Sequence, residues 1–413
     1  MKEVSTSVSY RELLAHKDYL RLWLGQVVSF GGDALTRVAL PIYVFQLTGN
    51  PAALGGAFAI QQVPWILVSP FAGVIVDRLN RKRLLTCAIL LEAMTVALIL
   101  LTDSLWQIYL LAFIASVAQV VNTNTRQAAI PDVTGVRLYS RAIALSVITV
   151  QTMDIAGTAL AGAVVASVGP KMAMTIDVFT FIVNATLVTS ASIPQPLTQK
   201  AKPPAIWQDI KIGFDFIQDN PALRFVIMIM FLRGITMIGI FPLFVDFVKT
   251  DLRASAFEFG LLSATASLGY VLASILAVRL EQRISSFYGL VWFSALAGLF
   301  IIPFGLVRSF PLLLILRLSS ALLYGCGNLI ARVKIAIVAP SEFRGGVSSL
   351  SWALTKLSQV TSSVGFGFAA KVVGTPSVIA LAGLCLCMGS GIMSLTASKS
   401  VHEVLEARTQ TKQ

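Results

Sequence analysis

The chain has 413 residues, of which 56% are hydrophobic and only 13% charged, and its mean hydropathy is +0.80. A soluble domain carries about a quarter charged residues, so this composition excludes a water-soluble fold and makes a lipid bilayer the natural solvent. The net charge of +12 is read as attraction to anionic lipid heads, and no nucleic-acid partner is needed to explain it.

In chain order, residues 1–18 are polar and mixed in charge, without the short apolar core of a cleavable signal. Twelve apolar stretches follow, near 19–47, 53–76, 84–102, 105–125, 141–169, 171–193, 224–248, 256–279, 287–307, 310–331, 346–372 and 376–398. A membrane-spanning helix needs about 20 mostly apolar residues, and each stretch meets that within boundary error. Turn signals such as Thr48-Gly49-Asn50-Pro51 and Gly169-Pro170 separate them. The longest polar interruption follows the sixth stretch. The expected organisation is therefore an N-terminal six-helix bundle (1–193), a cytoplasmic linker (194–223), a C-terminal six-helix bundle (224–398) and a tail (399–413). A faint internal repeat supports it: residues 129–145 are echoed at 338–354, with Pro131 aligned to Pro340.

Charge orients the spans. With both termini cytoplasmic, 23 of the 32 Lys and Arg residues fall on the inner side, and only Lys171, Lys249, Arg253, Arg308 and Lys371 fall outside. The four cysteines lie within spans at no metal-ligand spacing, and the two histidines lie in the tails. No nucleophile–base set or nucleotide loop is visible. A metal, a cofactor and an enzymatic activity are therefore not expected.

After the second span comes Gly73-Val74-Ile75-Val76-Asp77-Arg78-Leu79-Asn80-Arg81-Lys82-Arg83. This resembles the loop signature of the major facilitator superfamily. Asn80 replaces its usual second glycine and tolerates the left-handed backbone such a turn uses. The segments RQAAIPDV (126–133), IDVFTFIVNA (176–185) and WQDIKIGFDFIQDNPALR (207–224), with the opening at 18–55, resemble the macrolide-efflux and enterobactin-exporter branch. Three features depart from the antiporter pattern. Residues 108–119 carry no arginine, span 5 lacks Gly-Pro near Gly157, and the second loop motif is reduced to Arg279–Arg283. The resemblance implies an all-α membrane protein with twelve transmembrane helices in two pseudo-symmetric six-helix bundles. It further implies a plasma-membrane (inner-membrane) secondary transporter, a monomer exporting a small amphiphilic molecule, drug- or siderophore-like, in exchange for protons. Importers and lipid flippases share the fold, and a non-transporting sensor is the remaining alternative. The loop motif, Gly73, Asp77, Arg78, Arg81 and Lys82, is implied to gate the cytoplasmic side. Asp77 would lie against the start of span 11, and Arg78 and Arg81 would pair across the seam.

Ionisable residues inside spans cost about 2.5–3.5 kcal/mol each on insertion scales, so each is a functional candidate. The first half holds Asp33, Arg37, Glu92, Asp154 and Asp177; the second holds Arg233, Arg317 and Lys356, with Asp246 nearer a span end. Helical spacing aligns Gln26, Ser29, Asp33 and Arg37, and likewise Arg317, Ser320, Tyr324 and Asn328. Gln119, Asn122 and Arg126 form a third stripe, Gln151, Asp154 and Thr158 a fourth, and Lys356, Gln359 and Ser363 a fifth. In the family these spans line or flank the central cavity, which makes the stripes candidate coupling and substrate residues. Asp33 and Arg37 either neutralise each other or take part directly. Glu92 and Asp177 are expected to pack helices. Arg233, Arg317 and Lys356 either bind anionic substrate groups or hold the halves together. Trp65, Tyr324, Trp352, Phe241 and Phe244 either wall an apolar pocket or, as is more common for such residues, make lipid or core contacts.

Overall fold

The computed structural model describes residues 10–194, 206–284, 287–339 and 344–396, and all regular structure in them is helical. A helix satisfies its own backbone polar groups, which is the condition a hydrocarbon core imposes.

The short α1 (Tyr10–Ala15) precedes the long α2 (Lys17–Thr48). Asn50 then caps α3 (Pro51–Leu67), its Oδ1 accepting from Ala52 N at 3.0 Å. α4 (Ser69–Arg78), α5 (Arg81–Leu100), α6 (Leu105–Thr152) and α7 (Thr158–Ser190) follow, a π-helical turn, Met153–Gly157, joining the last two. α6 bends at Gly135 (φ 69°) and α7 at Gly169 (φ 83°), backbone angles that only glycine adopts without strain. Pro170, next in sequence, suits the first turn of a new helix. The expected break at Gly169-Pro170 is therefore present.

Beyond it come α8 (Ile206–Asp219), α9 (Pro221–Arg233), α10 (Leu243–Asp246), α11 (Ala256–Ile284), α12 (Phe287–Ile301), α13 (Phe310–Val338), α14 (Arg344–Val373) and α15 (Thr375–Thr396). α9 and α10 belong to one bent run that includes two π-helical turns. Part of the expected linker, 195–205, and the expected tail, 399–413, lie outside the described residues.

Among the described residues, eight helices are long and apolar enough to cross a membrane. The rest of the twelve expected stretches differ for visible reasons. Pro64 and Pro70 divide the second into α3 and α4, Gly169 alone separates the fifth and sixth in one continuous run, the ninth is a shorter apolar helical segment (Gly289–Gly305), and α14, the eleventh, is rich in Ser and Thr.

Two stretches run further than hydropathy indicates. Residues 126–134, expected as a loop, continue α6, and α13 passes the expected end at 331 to reach Val338. A polar side chain there bonds back onto the helix instead of ending it: Thr134 Oγ1 donates to Ile130 O at 2.8 Å.

By their contacts the residues divide into two compact units, Met1–Leu40 with Leu67–Pro204 and Pro41–Ile66 with Ala205–Gln413. In the first, α1 buries Leu13 and pairs Glu12 with Arg137 of α6. Polar bonds stitch α2 to α6, with Trp23 Nε1 to Thr149 Oγ1 at 2.9 Å and Tyr19 Oη to Ala142 O at 3.2 Å. In the second, Ile217 of α8 joins Leu223, Val226, Leu290, Ala331 and Val347 in one apolar cluster, so α8 packs as part of that unit.

Candidate functional site

Each unit contains a cavity lined by polar groups within its spans. In the first unit it measures about 340 Å³. α2 contributes Gln26, Ser29 and Asp33; α5 contributes Glu92; α6 contributes Gln119, Asn122, Arg126, Ser146 and Gln151. The stripes from spans 1 and 4 thus reach one chamber, along with Gln151 of the span 5 stripe.

Ion pairing within this unit decides which carboxylates are engaged. Arg37 Nη1 donates to Asp154 Oδ1 at 2.5 Å, so its ion pair is with Asp154 and not with its helix neighbour Asp33. Asp33 lines the cavity with no hydrogen bond or ion pair among the described residues. Glu92, 4% exposed, accepts from Asn122 Nδ2 at 3.1 Å, a bond that ties α5 to α6 as its expected packing role requires, and it also lines the same cavity. Asp177 is fully buried, accepting from Thr36 Oγ1 at 2.5 Å and Thr180 Oγ1 at 2.9 Å.

Arg126 is a correction. Counted with the cytoplasmic charges, it is instead buried inside α6, donating to Leu22 O at 3.0 Å and Asn184 Oδ1 at 3.3 Å. Because the helix continues past 125, this span does carry an arginine, facing Asp33 and Glu92 across the cavity.

The second unit's cavity measures about 520 Å³. Tyr270 of α11, Tyr324, Asn328 and Arg332 of α13, and Trp352, Lys356 and Gln359 of α14 line it. Lys356 Nζ donates to Gln62 Oε1 at 2.7 Å and lies 4.9 Å from the Trp352 ring and 5.9 Å from that of Trp65. Gln62, on α3 with Trp65, was not among the candidate site residues. Arg332, assigned to a cytoplasmic loop, falls on the Asn328 face one turn further along; that spacing was the available signal.

Arg233 and Arg317 do not line this cavity. Arg233, 2% exposed, donates to Ser294 Oγ at 2.7 Å and to the Tyr324 carbonyl, and its guanidinium lies 4.3 Å from the Tyr324 ring. Arg317 lies 4.6 Å from the Phe244 ring. Phe241 and Phe244 belong to an aromatic chain with Phe58, Phe304 and Phe247, a core contact as expected.

At the loop motif, the turn between α4 and α5 uses no left-handed residue. Asn80 is extended (φ −64°, ψ 112°) and caps α5, its Oδ1 accepting from Arg83 N at 3.0 Å. Arg81 is buried, paired with Asp132 and donating to Ala128 O at 3.0 Å, both on α6. Arg81 thus has an ion pair within its own unit, and its expected pairing across the seam falls on residues outside the described ones. Arg78 is exposed and Lys82 half-buried. Gly73 and Asp77 are helical in α4, but their side chains, and the start of span 11 at 340–343, lie outside the described residues.

This arrangement, polar chambers enclosed by apolar helices with charges held inside spans, defines a membrane transporter. Residues 11–412 match the family described as "transmembrane secretion effector". YfiS of Bacillus subtilis, an uncharacterised MFS-type transporter, is 22% identical over 93% of this chain and 94% of its own length. Macrolide efflux protein A of Streptococcus pyogenes is 27% identical over 27% of this chain and 29% of its own. The nucleoside transporter NupG superposes with a TM-score of 0.71 over 91% of this chain and 98% of its own, at 16% identity, a likeness of fold. The chain belongs to the major facilitator superfamily, within the transmembrane secretion effector family. It is an integral membrane protein, and the helices described above fit the twelve-span fold of that superfamily.

Proposed function

We propose that this chain is a secondary transporter, not an enzyme, which exports a small amphiphilic molecule across the plasma (inner) membrane in exchange for protons. It works by alternating access, as a monomer with both termini cytoplasmic and no resident cofactor, metal or nucleic-acid partner. The bundles 1–193 and 224–398 are its moving parts, and Gly73, Asp77, Arg78, Arg81 and Lys82 form its cytoplasmic gate. The observation that carries the reading is Asp33, a cavity carboxylate without an ion-pair partner among the described residues, close to a second carboxylate, Glu92. A charged, unpaired carboxylate in a span costs about 2.5–3.5 kcal/mol, a cost that protonation removes. Asp154, paired with Arg37, is assigned to holding α2 against the π-helical turn. Export is supported by the family's description and by the partial likeness to a macrolide efflux protein.

The test is accumulation of a panel of dyes, antibiotics and siderophore-like compounds in cells with and without the protein. Lower accumulation of at least one compound, restored to the control level by Asp33→Asn, is expected. Higher accumulation with the protein present would make it an importer. Full efflux in both Asp33→Asn and Glu92→Gln would remove the proton-coupling assignment.

A further inference from the structure

We propose that the second unit's cavity binds the anionic group of an aromatic organic anion, so that the exported molecule is an acid carrying a carboxylate or sulfonate and not a cationic amphiphile. This rests on the transport reading and narrows its substrate class. Among the described residues the lining carries two cations, Lys356 and Arg332, and no carboxylate. The partners of Lys356 are all neutral: Gln62 Oε1 accepts from it at 2.7 Å, and the rings of Trp352 and Trp65 face it. Aromatic faces attract an ammonium but do not cancel its charge, and an amide oxygen contributes only a dipole. The ammonium is thus held in place with its charge uncompensated, in a setting where charged groups normally pair. Arg332 likewise makes no ion pair among the described residues and lies two turns from Tyr324 on the same face of α13. An incoming anion would neutralise both cations, with guanidinium supplying a bidentate fork and ammonium a point charge. The tilted Trp352 and Trp65 rings, 6.0 Å apart, and the edge-on Tyr270 and Tyr324 pair, 5.9 Å apart, offer faces to an aromatic body. A cationic ligand of equal size would meet Lys356 with repulsion.

The test is equilibrium binding to purified, full-length protein in detergent, without any gradient, using pyrenesulfonate and its cationic counterpart pyrenylmethylammonium. Of the quenching of the six tryptophans, the part that is lost when Trp65 and Trp352 are both replaced by Phe reports occupancy beside those two rings. Wild-type protein is expected to prefer the sulfonate by about tenfold or more. Lys356→Gln should lose that preference, Lys356→Arg should keep most of it, and Arg332→Gln should weaken the sulfonate alone. Equal affinity of wild-type protein for the two probes, or equal weakening of both in Lys356→Gln, would overturn the proposal. Because no transport is measured, charge selectivity without export in cells would leave this site standing and remove the export reading. Export of a cationic compound without charge selectivity would do the reverse.

Discussion

Of the buried cations, Arg233 shows most clearly how one side chain can be spent on packing. Its guanidinium spans Ser294 Oγ and the Tyr324 carbonyl, and Gly327 leaves the room it occupies. A lysine ammonium is a compact point charge without the guanidinium's rigid fork, and does not reproduce that reach to both acceptors. Hydrogen bonds to a charged group are worth about 1.5–3 kcal/mol, so Arg233→Lys should lower the thermal unfolding midpoint of the detergent-purified protein. An unchanged midpoint would return Arg233 to the candidates for ligand binding. Spacing alone marked the right faces, since Gln26, Ser29 and Asp33 all reach the first cavity and Tyr324 and Asn328 the second. Spacing could not choose partners. Asp33 and Arg37 are four apart, the ideal separation for a helical ion pair, yet Arg37 pairs with Asp154, which lies far along the chain. That choice depends on which helix packs against which, and a single sequence carries little of that information.

Among the helices, α6 departs furthest from its sequence-based expectation. Hydropathy registers contact with lipid, whereas the helix follows its backbone bonds. A polar stretch such as the one that begins at Arg126 therefore reads as a loop when its side chains face a cavity or a neighbouring helix. Arg126, Arg332 and the buried Lys334 were counted with the cytoplasmic charges for this reason, and without them the charge bias keeps its sign. The extension of α6 also creates the surface on which Arg81 docks. Replacing Asp132 with Leu should remove the ion pair that Arg81 makes on α6 and destabilise the protein. Because both side chains retain some contact with water, the loss should be near about 1–2 kcal/mol, below the full cost of breaking a buried pair. The double variant Arg81→Met with Asp132→Leu should recover most of it. Thermal unfolding of the single and double variants checks this, and equal destabilisation of both would mean the pair is not a unit. The turn signals fared better. Asn50 caps its helix and Gly169-Pro170 breaks one, because both act through local backbone geometry that needs no distant partner.

For the whole molecule, the charge bias predicts a topology. Single cysteines at Asn50 and Ser104, placed in a cysteine-free background, should react with a membrane-impermeant maleimide added to intact cells. Protection of both would reverse the assigned orientation. Class and fold were legible from composition, hydropathy and the loop after the second span, since a bilayer imposes its period and length on every segment. Direction and substrate were not, because a few side chains inside the cavities decide them. The central claim is that movement of substrate is exchanged for protons through Asp33. It is tested most directly in proteoliposomes holding a pH-sensitive dye, with no initial pH gradient, to which a compound exported in cells is added outside. Entry of the compound by antiport should drive protons out and raise the internal pH in wild-type vesicles, and Asp33→Asn should abolish the change. Entry without any change of internal pH, or an undiminished pH rise in Asp33→Asn, would contradict the account.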